Sequence, residues 1–292
     1  MLIGGFFAYP YPPPHGVEWM ISIPLFTGLI CLGIGFFWKT SIKKRSLFKI
    51  GGWSMFSLFW ALQPNQLYQP SNDLFNGVVC AIGVYVLMYL AYHEWVSLRQ
   101  NKEASSLNWI AGATFLAGII YFTIDTGVVP GLKDWMIEGV AEQSTLMMHL
   151  FGWDAVRAGS VITYQGMPIT IIFACTAIQS MVLFVGMIGA LPQVSLKRKL
   201  TGIAVTVIPI YFMNLFRNAG VVFMVGSGMT SFDVAHNIIA KTGSLLALIF
   251  LLYITFRLLP GLYDEIMGIV ELPKRNGPLE RLMKRIGGKK TQ

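Results

Sequence analysis

Long apolar runs separated by short basic segments dominate this chain of 292 residues. A helix needs about 20 consecutive, mostly apolar residues to cross the hydrocarbon core of a bilayer, and several runs reach that length. Charged residues make up only 12% of the sequence, which is about half of their share in a soluble domain. The sequence therefore predicts an all-α polytopic membrane protein with about seven transmembrane helices, or eight if a short extra span is present.

The predicted spans divide the chain into a membrane domain and a tail. We place the seven spans near residues 18–38, 47–64, 74–96, 107–125, 168–190, 201–224 and 235–258. The segment 127–165 is amphipathic and is interrupted by glycines, which favours external helices lying on the membrane surface. We expect residues 1–258 to form a single membrane domain with its functional core at about 165–258, and residues 259–292 to form a basic tail.

The basic residues set the predicted orientation. Most of them follow the first, third, fifth and seventh spans, and with seven spans these segments share one side of the membrane. The positive-inside rule makes that side cytoplasmic, so the C-terminus is predicted to be cytoplasmic and the segment 127–165 external. The same rule explains the net charge of +8 without a nucleic-acid partner.

Three polar side chains fall in the half of the membrane that is predicted to be external. Cys175 follows the external start of the fifth span, Arg217 precedes the external end of the sixth, and His236 opens the seventh. An arginine inside a bilayer is costly and faces a wet cavity or a partner, yet Asp233, at a helix end, is the one acidic residue of the last three spans. We expect the thiol, the guanidinium and the imidazole to share one cavity.

Each of these residues also has a purely structural alternative. Cys175 would then be a small packing residue, Arg217 a member of a buried ion pair and His236 an interfacial histidine. Gln179 lies one turn after Cys175 on the same predicted helix, where it would orient the thiol, donate to an oxyanion or form only an interhelical hydrogen bond. Asn214 and Asn218 are expected to line the same cavity or to hydrogen-bond between helices.

The three residues are of the chemical types that acyl transfer requires. A thiolate is the nucleophilic form of cysteine, and the permanently charged Arg217 would stabilise both the thiolate and the oxyanion that forms on a carbonyl. His236 would accept the thiol proton and protonate the leaving amine. Water, or an amine- or hydroxyl-bearing headgroup, would then attack the thioester. The pattern implies neither a cofactor nor a metal.

With these residues identified, the chain resembles the archaeosortase/exosortase family of membrane-embedded cysteine transpeptidases. The similarity is carried by the motifs Ala174-Cys-Thr-Ala-Ile-Gln-Ser180, Asn214-Leu-Phe-Arg-Asn218 and Ala235-His-Asn237, and it covers about residues 165–258. The residues of the first motif are most similar to those of the archaeosortase A branch. The family's cysteine and arginine correspond to Cys175 and Arg217.

This resemblance implies a substrate and a reaction. Family members cleave secreted proteins at a C-terminal tripartite sorting signal, which consists of a short motif, a hydrophobic span and a basic cluster. In the archaeosortase A branch the motif is Pro-Gly-Phe. Cleavage occurs on the outer face, and the new C-terminus is thought to be joined to a membrane lipid. The family's third residue is His or Arg, for which His236 and Arg257 compete. Twenty-one residues of helix rise about 30 Å, which places Arg257 at the cytoplasmic end, so we select His236.

Two other classes of function remain open at this point. In an anion or proton-coupled transporter, Arg217 would bind the anion and His236 would relay protons. Such proteins commonly contain inverted repeats with matching broken helices, and no internal repeat is evident in this sequence. In a structural subunit of a membrane complex, the polar residues would serve helix packing alone.

Overall fold

The computed structural model describes residues 4–12, 18–69 and 74–287 and is mostly helical. Its α-helices are α1 (Glu18–Phe37), α2 (Ile42–Ala61), α3 (Pro64–Tyr68), α4 (Leu74–Gln100), α5 (Ser105–Asp125), α6 (Leu132–Leu150), α7 (Ile178–Gly189), α8 (Leu196–Gly226), α9 (Lys241–Leu258), α10 (Pro260–Val270) and α11 (Pro278–Gly287). Short 3-10 helices cover Gly4–Ala8, Phe173–Thr176 and Leu272–Arg275, and a π-helix covers Val234–Ala240.

Five helical stretches among the described residues are long and apolar enough to cross a bilayer. They are Met20–Phe37, Leu74–Gln100, Ser105–Asp125, Leu196–Gly226 and Val234–Leu258. These stretches coincide with the first, third, fourth, sixth and seventh predicted spans. A chain with this many apolar helices is a multi-pass membrane protein, while the count of seven or eight spans stays a prediction.

The remaining two predicted spans differ from the observed elements. The second overlaps α2. The N-terminal half of this helix carries Lys43, Lys44, Arg45 and Lys49, so α2 is less apolar than the five stretches. The fifth was predicted as one helix over 168–190, which is wrong. A β-strand, a 3-10 turn and the 12-residue α7 occupy that region, and α7 is shorter than the roughly 20 residues that a span needs.

The described chain divides into two compact units, which are considered separately. The first contains the residues up to Phe115 and those from Asp264 onward, and the second contains Leu116–Tyr263. In the first unit, Gly28 of α1 lies against α2, where an added Cβ would sit 2.8 Å from the backbone nitrogen of Phe56. A small residue at this position lets the two helix backbones approach closely, as is common between membrane helices.

Charged residues buried in the first unit are paired with one another. Lys49, which is fully buried, places its Nζ 3.0 Å from a carboxylate oxygen of Glu94 and 2.6 Å from one of Glu103. Arg45 contacts the other oxygen of Glu103 at 2.7 Å. An unpaired buried charge would be very costly, so this cluster compensates the charges at the start of α2.

A small antiparallel sheet in the second unit corrects the all-α prediction. Strands β1 (Val156–Ala158), β2 (Val161–Tyr164) and β3 (Met167–Thr170) pair in the order β1-β2-β3. Gln165 and Gly166 both have positive φ angles, as the type I′ turn of a two-residue hairpin requires. Pro168, at which the predicted fifth span begins, instead lies in β3 opposite Thr163.

The core of the second unit brings together elements that are distant in the sequence. Buried apolar side chains from α6, the sheet, the Phe173–Thr176 turn, α8 and the π-helix form one cluster. Met148, Ile162 and Ala235 are fully buried within it, and the 6%-exposed Cys175 belongs to the same cluster. The segment 127–165 therefore supplies one long helix and two strands, and α6 packs its apolar side into the protein core.

Candidate active site

Cys175 lies in a short turn that ends before α7 begins. Ala177, between the 3-10 helix and α7, has a φ of 57°, in the left-handed region that costs a non-glycine residue about 1–2 kcal/mol. The hydroxyl of Thr176 donates to the Phe173 carbonyl at 2.7 Å and accepts from the Ile178 N–H at 3.4 Å. Thr176 thus holds the turn from both sides.

Two asparagines of α8 fix the backbone of the cysteine itself. The side-chain Nδ2 atoms of Asn214 and Asn218 donate to the carbonyl oxygen of Cys175 at 2.7 and 3.0 Å. Residues four apart lie on the same face of a helix, so both amides of α8 reach the same oxygen. Both asparagines are buried, where an unsatisfied carbonyl would be unfavourable. They therefore hold the turn that carries Cys175 against α8.

Arg217 lies between these two asparagines in the sequence and is connected to the same contact. Its Nη1 donates to Oδ1 of Asn218 at 3.2 Å, so a chain of hydrogen bonds links the guanidinium, the Asn218 amide and the Cys175 carbonyl. Within the part of the chain that the structure describes, no carboxylate forms an ion pair with Arg217. This geometry disfavours the buried ion-pair alternative and leaves the positive charge available to a bound group.

His236 lies in the π-helix Val234–Ala240, directly before α9. Short π-helical turns inside α-helices are frequent at functional sites. The imidazole stacks on the ring of Phe232 with a centroid distance of 5.1 Å and an interplanar angle of 15°. This stacking fixes the ring plane, and it leaves the edge of the ring with its two nitrogen atoms free of the stacking contact.

Two cavities meet at His236. The larger, about 690 Å³, is lined by Arg217, His236, Asn214, Ser180 and Lys241 together with mainly apolar residues of α8 and α9. The smaller, about 10 Å³, is lined by Cys175, His236, Asn218 and six further residues, and its volume corresponds to roughly one water molecule. The structure thus brings Cys175 and His236 to one cavity and Arg217 and His236 to the other, in place of the single cavity expected from the sequence.

The walls of the larger cavity include the immediate neighbours of the cysteine. Ala174 and Ala177 line it, whereas Cys175 lines the smaller space. The turn that carries Cys175 therefore contributes residues to the walls of both cavities.

Two of the sequence-based candidates lie away from these cavities. Gln179 is exposed and lines neither cavity; the argument that it shares a helix face with Cys175 is wrong, because α7 begins only at Ile178. Arg257 is exposed near the far end of α9 and donates to the Tyr253 hydroxyl at 2.8 and 3.1 Å. It therefore has its own partner one turn away on the same helix.

Sequence reasoning missed the way in which the asparagines act. It expected Asn214 and Asn218 at a cavity wall or between helices, but it did not identify the Cys175 carbonyl as their common acceptor. Their spacing of four residues around Arg217 was the available signal. Lys241 also lines the larger cavity, one turn after His236.

Removing the two asparagine amides should expose the thiol. A net hydrogen bond contributes about 1 kcal/mol, so Asn214→Ala and Asn218→Ala should each increase the rate of Cys175 alkylation by N-ethylmaleimide by about fivefold, and the double variant by more. Mass spectrometry of the cysteine peptides separates Cys175 from Cys31 and Cys80.

Asn237→Ala provides the matched control, because Asn237 is exposed and donates to Asp233. This variant should alkylate Cys175 at the original rate. Equal alkylation rates in all variants would show that the asparagines do not restrain the turn.

Known proteins with similar sequences cover most of this chain. Residues 52–254 match the transmembrane exosortase family. Archaeosortase A of Haloferax volcanii is 24% identical over 255 residues, which cover 75% of this chain and 82% of that protein. Archaeosortase A of Natronomonas pharaonis is 24% identical over 257 residues, which cover 75% and 79%. No solved structure matches the chain significantly. Since the family match runs from α2 into α9 and covers more than half of the sequence, this chain belongs to the transmembrane exosortase family.

Proposed function

We propose that this chain is a membrane-embedded cysteine transpeptidase that processes the C-terminal sorting signals of secreted proteins. The observation that carries the proposal is the position of His236, which shares one cavity with Cys175 and the adjoining cavity with Arg217. A base next to a thiol and a cation nearby are the groups that thiol-based acyl transfer needs. Membership of the exosortase family and the similarity to two archaeosortases support the same activity.

Each of the three residues has a separate role in this proposal. Cys175 is the nucleophile, His236 is the general acid and base, and Arg217 stabilises negative charge on the thiolate and on the carbonyl oxygen. Asn214 and Asn218 are positioning residues, because they act on the main chain of the nucleophile. The catalytic core at about 165–258 contains all five, and Gln179 has no role in it.

The reaction begins when the Cys175 thiol transfers its proton to His236. The sulfur attacks the scissile carbonyl carbon, and the oxyanion of the tetrahedral intermediate lies in the field of Arg217. The C–N bond then breaks, and the imidazolium returns its proton to the departing amine. A lipid hydroxyl or amine, or water, attacks the thioester after His236 removes its proton. The C–S bond breaks, and the departing Cys175 thiolate takes back the proton that His236 holds.

The larger cavity is suited to a hydrophobic polypeptide. Its volume of about 690 Å³ is lined mostly by apolar side chains of α8, α9 and the π-helix, and its polar lining residues are Ser180, Asn214, Ser244 and the basic residues. We propose that the substrate is a secreted protein with a Pro-Gly-Phe-type motif, a transmembrane segment and a basic end. The cut is made on the extracellular side, the basic end of the signal stays cytoplasmic, and a membrane lipid accepts the new C-terminus.

Replacement of the nucleophile tests this function directly. In Cys175→Ala, processing of a reporter protein that ends in the tripartite signal should stop, because no thioester can form. The gel shift of the reporter on cleavage provides the measurement, and membrane extraction of the product reports lipid attachment.

Cys80→Ala is the matched control, since Cys80 is also buried but lies in α4 of the other unit. It should process the reporter normally. If the Cys175→Ala variant still cleaved the reporter at equal expression, Cys175 would not be the nucleophile. A transporter would also tolerate this substitution.

Arg217→Lys should reduce processing by about 100-fold, the magnitude typical of losing an oxyanion donor. Lysine keeps the charge but lacks the planar set of donors that reaches Asn218 and a substrate oxygen together. Initial rates of reporter cleavage provide the measurement. A variant with full activity would reduce the role of Arg217 to that of a bulk positive charge.

His236→Ala and Arg257→Ala should have opposite outcomes. Loss of a general acid–base typically costs 10²–10⁴-fold, so His236→Ala should show a loss in that range. Arg257→Ala, which removes only an exposed contact to Tyr253, should retain activity. The reverse result would assign the third catalytic role to Arg257 and would contradict the predicted membrane orientation.

A further inference from the structure

Helix α11 (Pro278–Gly287) carries an apolar stripe that the described chain leaves uncovered. Leu279, Leu282, Met283 and Ile286 follow the spacing of one helix face. Leu282, Met283 and Ile286 are 54%, 64% and 63% exposed, which is unusual for three neighbouring apolar side chains on a short helix. The stripe therefore lacks a partner within this part of the molecule.

The opposite side of α11 is basic. Arg281, Lys284 and Arg285 are exposed, and at about 100° per residue they lie across the helix from the apolar stripe. Glu280, the one acidic residue of α11, is turned inward and buried. A helix with an apolar face, a cationic face and low overall hydrophobicity is typical of segments that lie in the plane of a membrane surface.

Glu280 attaches α11 to the end of a membrane-spanning helix. Its carboxylate accepts hydrogen bonds from the hydroxyls of Tyr89 and Tyr92 of α4 at 2.9 and 2.8 Å and lies 3.2 Å from Nε2 of His93. Burial by itself raises the pKa of Glu280, but hydrogen bonds from its own backbone and from these tyrosines outweigh that effect and hold the pKa below its usual value. The carboxylate is therefore charged at neutral pH.

The attachment site has the composition of a membrane–water interface. Tyr89 and Tyr92 are followed on α4 by Trp95, whose ring is covered by the guanidinium of Arg99 at 4.6 Å. Tyrosine and tryptophan are enriched where membrane helices meet the headgroups. Arg275 donates to the His93 carbonyl at 3.2 Å and to the Ser97 hydroxyl at 3.0 Å, so the segment leading to α11 is held at the same level of α4.

We propose that α11 is an interfacial helix that binds an anionic phospholipid surface. The contacts of Glu280 and Arg275 with the aromatic end of α4 set the depth of α11 in the membrane. Its three basic residues give it a preference for anionic lipids. The apolar stripe enters the boundary between headgroups and acyl chains, while the arginines and the lysine contact phosphates. This inference is independent of the proposed enzymatic activity and concerns a surface in the other compact unit.

Hydrogen–deuterium exchange of the complete chain in single-copy nanodiscs tests this proposal. One set of nanodiscs contains phosphatidylcholine alone, and a second set contains phosphatidylcholine mixed with phosphatidylglycerol of the same acyl chains. Amides of residues 280–287 should exchange more slowly in the anionic membrane. The difference should shrink when the salt concentration is raised, because salt screens surface charges.

Variants separate the two faces of the helix. Arg281→Gln and Arg285→Gln should each lower the protection in anionic nanodiscs by about fivefold, as expected for one basic residue at an anionic surface. Met283→Gln with Ile286→Gln should lower it in both lipid mixtures, because the apolar stripe no longer enters the membrane. Glu280, which holds the helix on α4, is kept in all variants.

Lys43→Gln is the matched control, because this exposed residue changes the net charge by the same amount as each arginine variant but lies outside α11. This variant should leave the protection of α11 unchanged. Equal protection in both lipid mixtures would overturn the choice of an anionic surface. Protection that appears only when several copies share one membrane would overturn lipid as the occupant and indicate a second copy of the chain.

Discussion

The carbonyl oxygen of Cys175, with its two asparagine donors, is the contact on which the candidate active site depends. A 3-10 turn within an apolar environment leaves backbone groups that cannot turn to water, and each unsatisfied group there costs several kcal/mol. Asn214 and Asn218 satisfy this oxygen and bring the turn to α8. Arg217 then donates to one of the same asparagines, which places its charge beside the turn.

The two compact units compensate polar side chains within the apolar chain in different ways. In the first, Lys49 is neutralised by Glu94 and Glu103, so that opposite charges cancel within the protein. In the second, Arg217 has an asparagine as its partner and lines a cavity of about 690 Å³. The first arrangement stabilises helix packing, whereas the second leaves a positive charge at the wall of a cavity. This contrast supports the role that we propose for Arg217.

The sequence predicted the long helices well and the region around the cysteine poorly, for one physical reason. Five spans are readable because length and the distribution of charge identify membrane helices independently of tertiary structure. Residues 156–176 are also apolar, but strands of three or four residues and a 3-10 turn have no periodicity that separates them from a helix. Gln179 was lost for the same reason, because its predicted position assumed a continuous helix through Ala177.

The candidate site was predictable to the level of residue type and helix order. Cys175, Arg217 and His236 were identified because charged or reactive side chains are costly within apolar segments and therefore conspicuous. Their distribution over two adjoining cavities was not predictable, since it depends on the left-handed Ala177 and on the π-helix that carries His236. Both are departures from regular geometry that only tertiary contacts stabilise.

The burial of Cys175 beside a water-sized space also has a consequence for the chemical durability of the protein. Oxidants convert accessible cysteine thiolates to sulfenic and then sulfinic acids, and the extent follows solvent access. Cys175 is 6% exposed and lines a space of about 10 Å³, so we expect few peroxide molecules to reach it in the resting protein. This burial would protect a group that, once overoxidised, the protein cannot restore by itself.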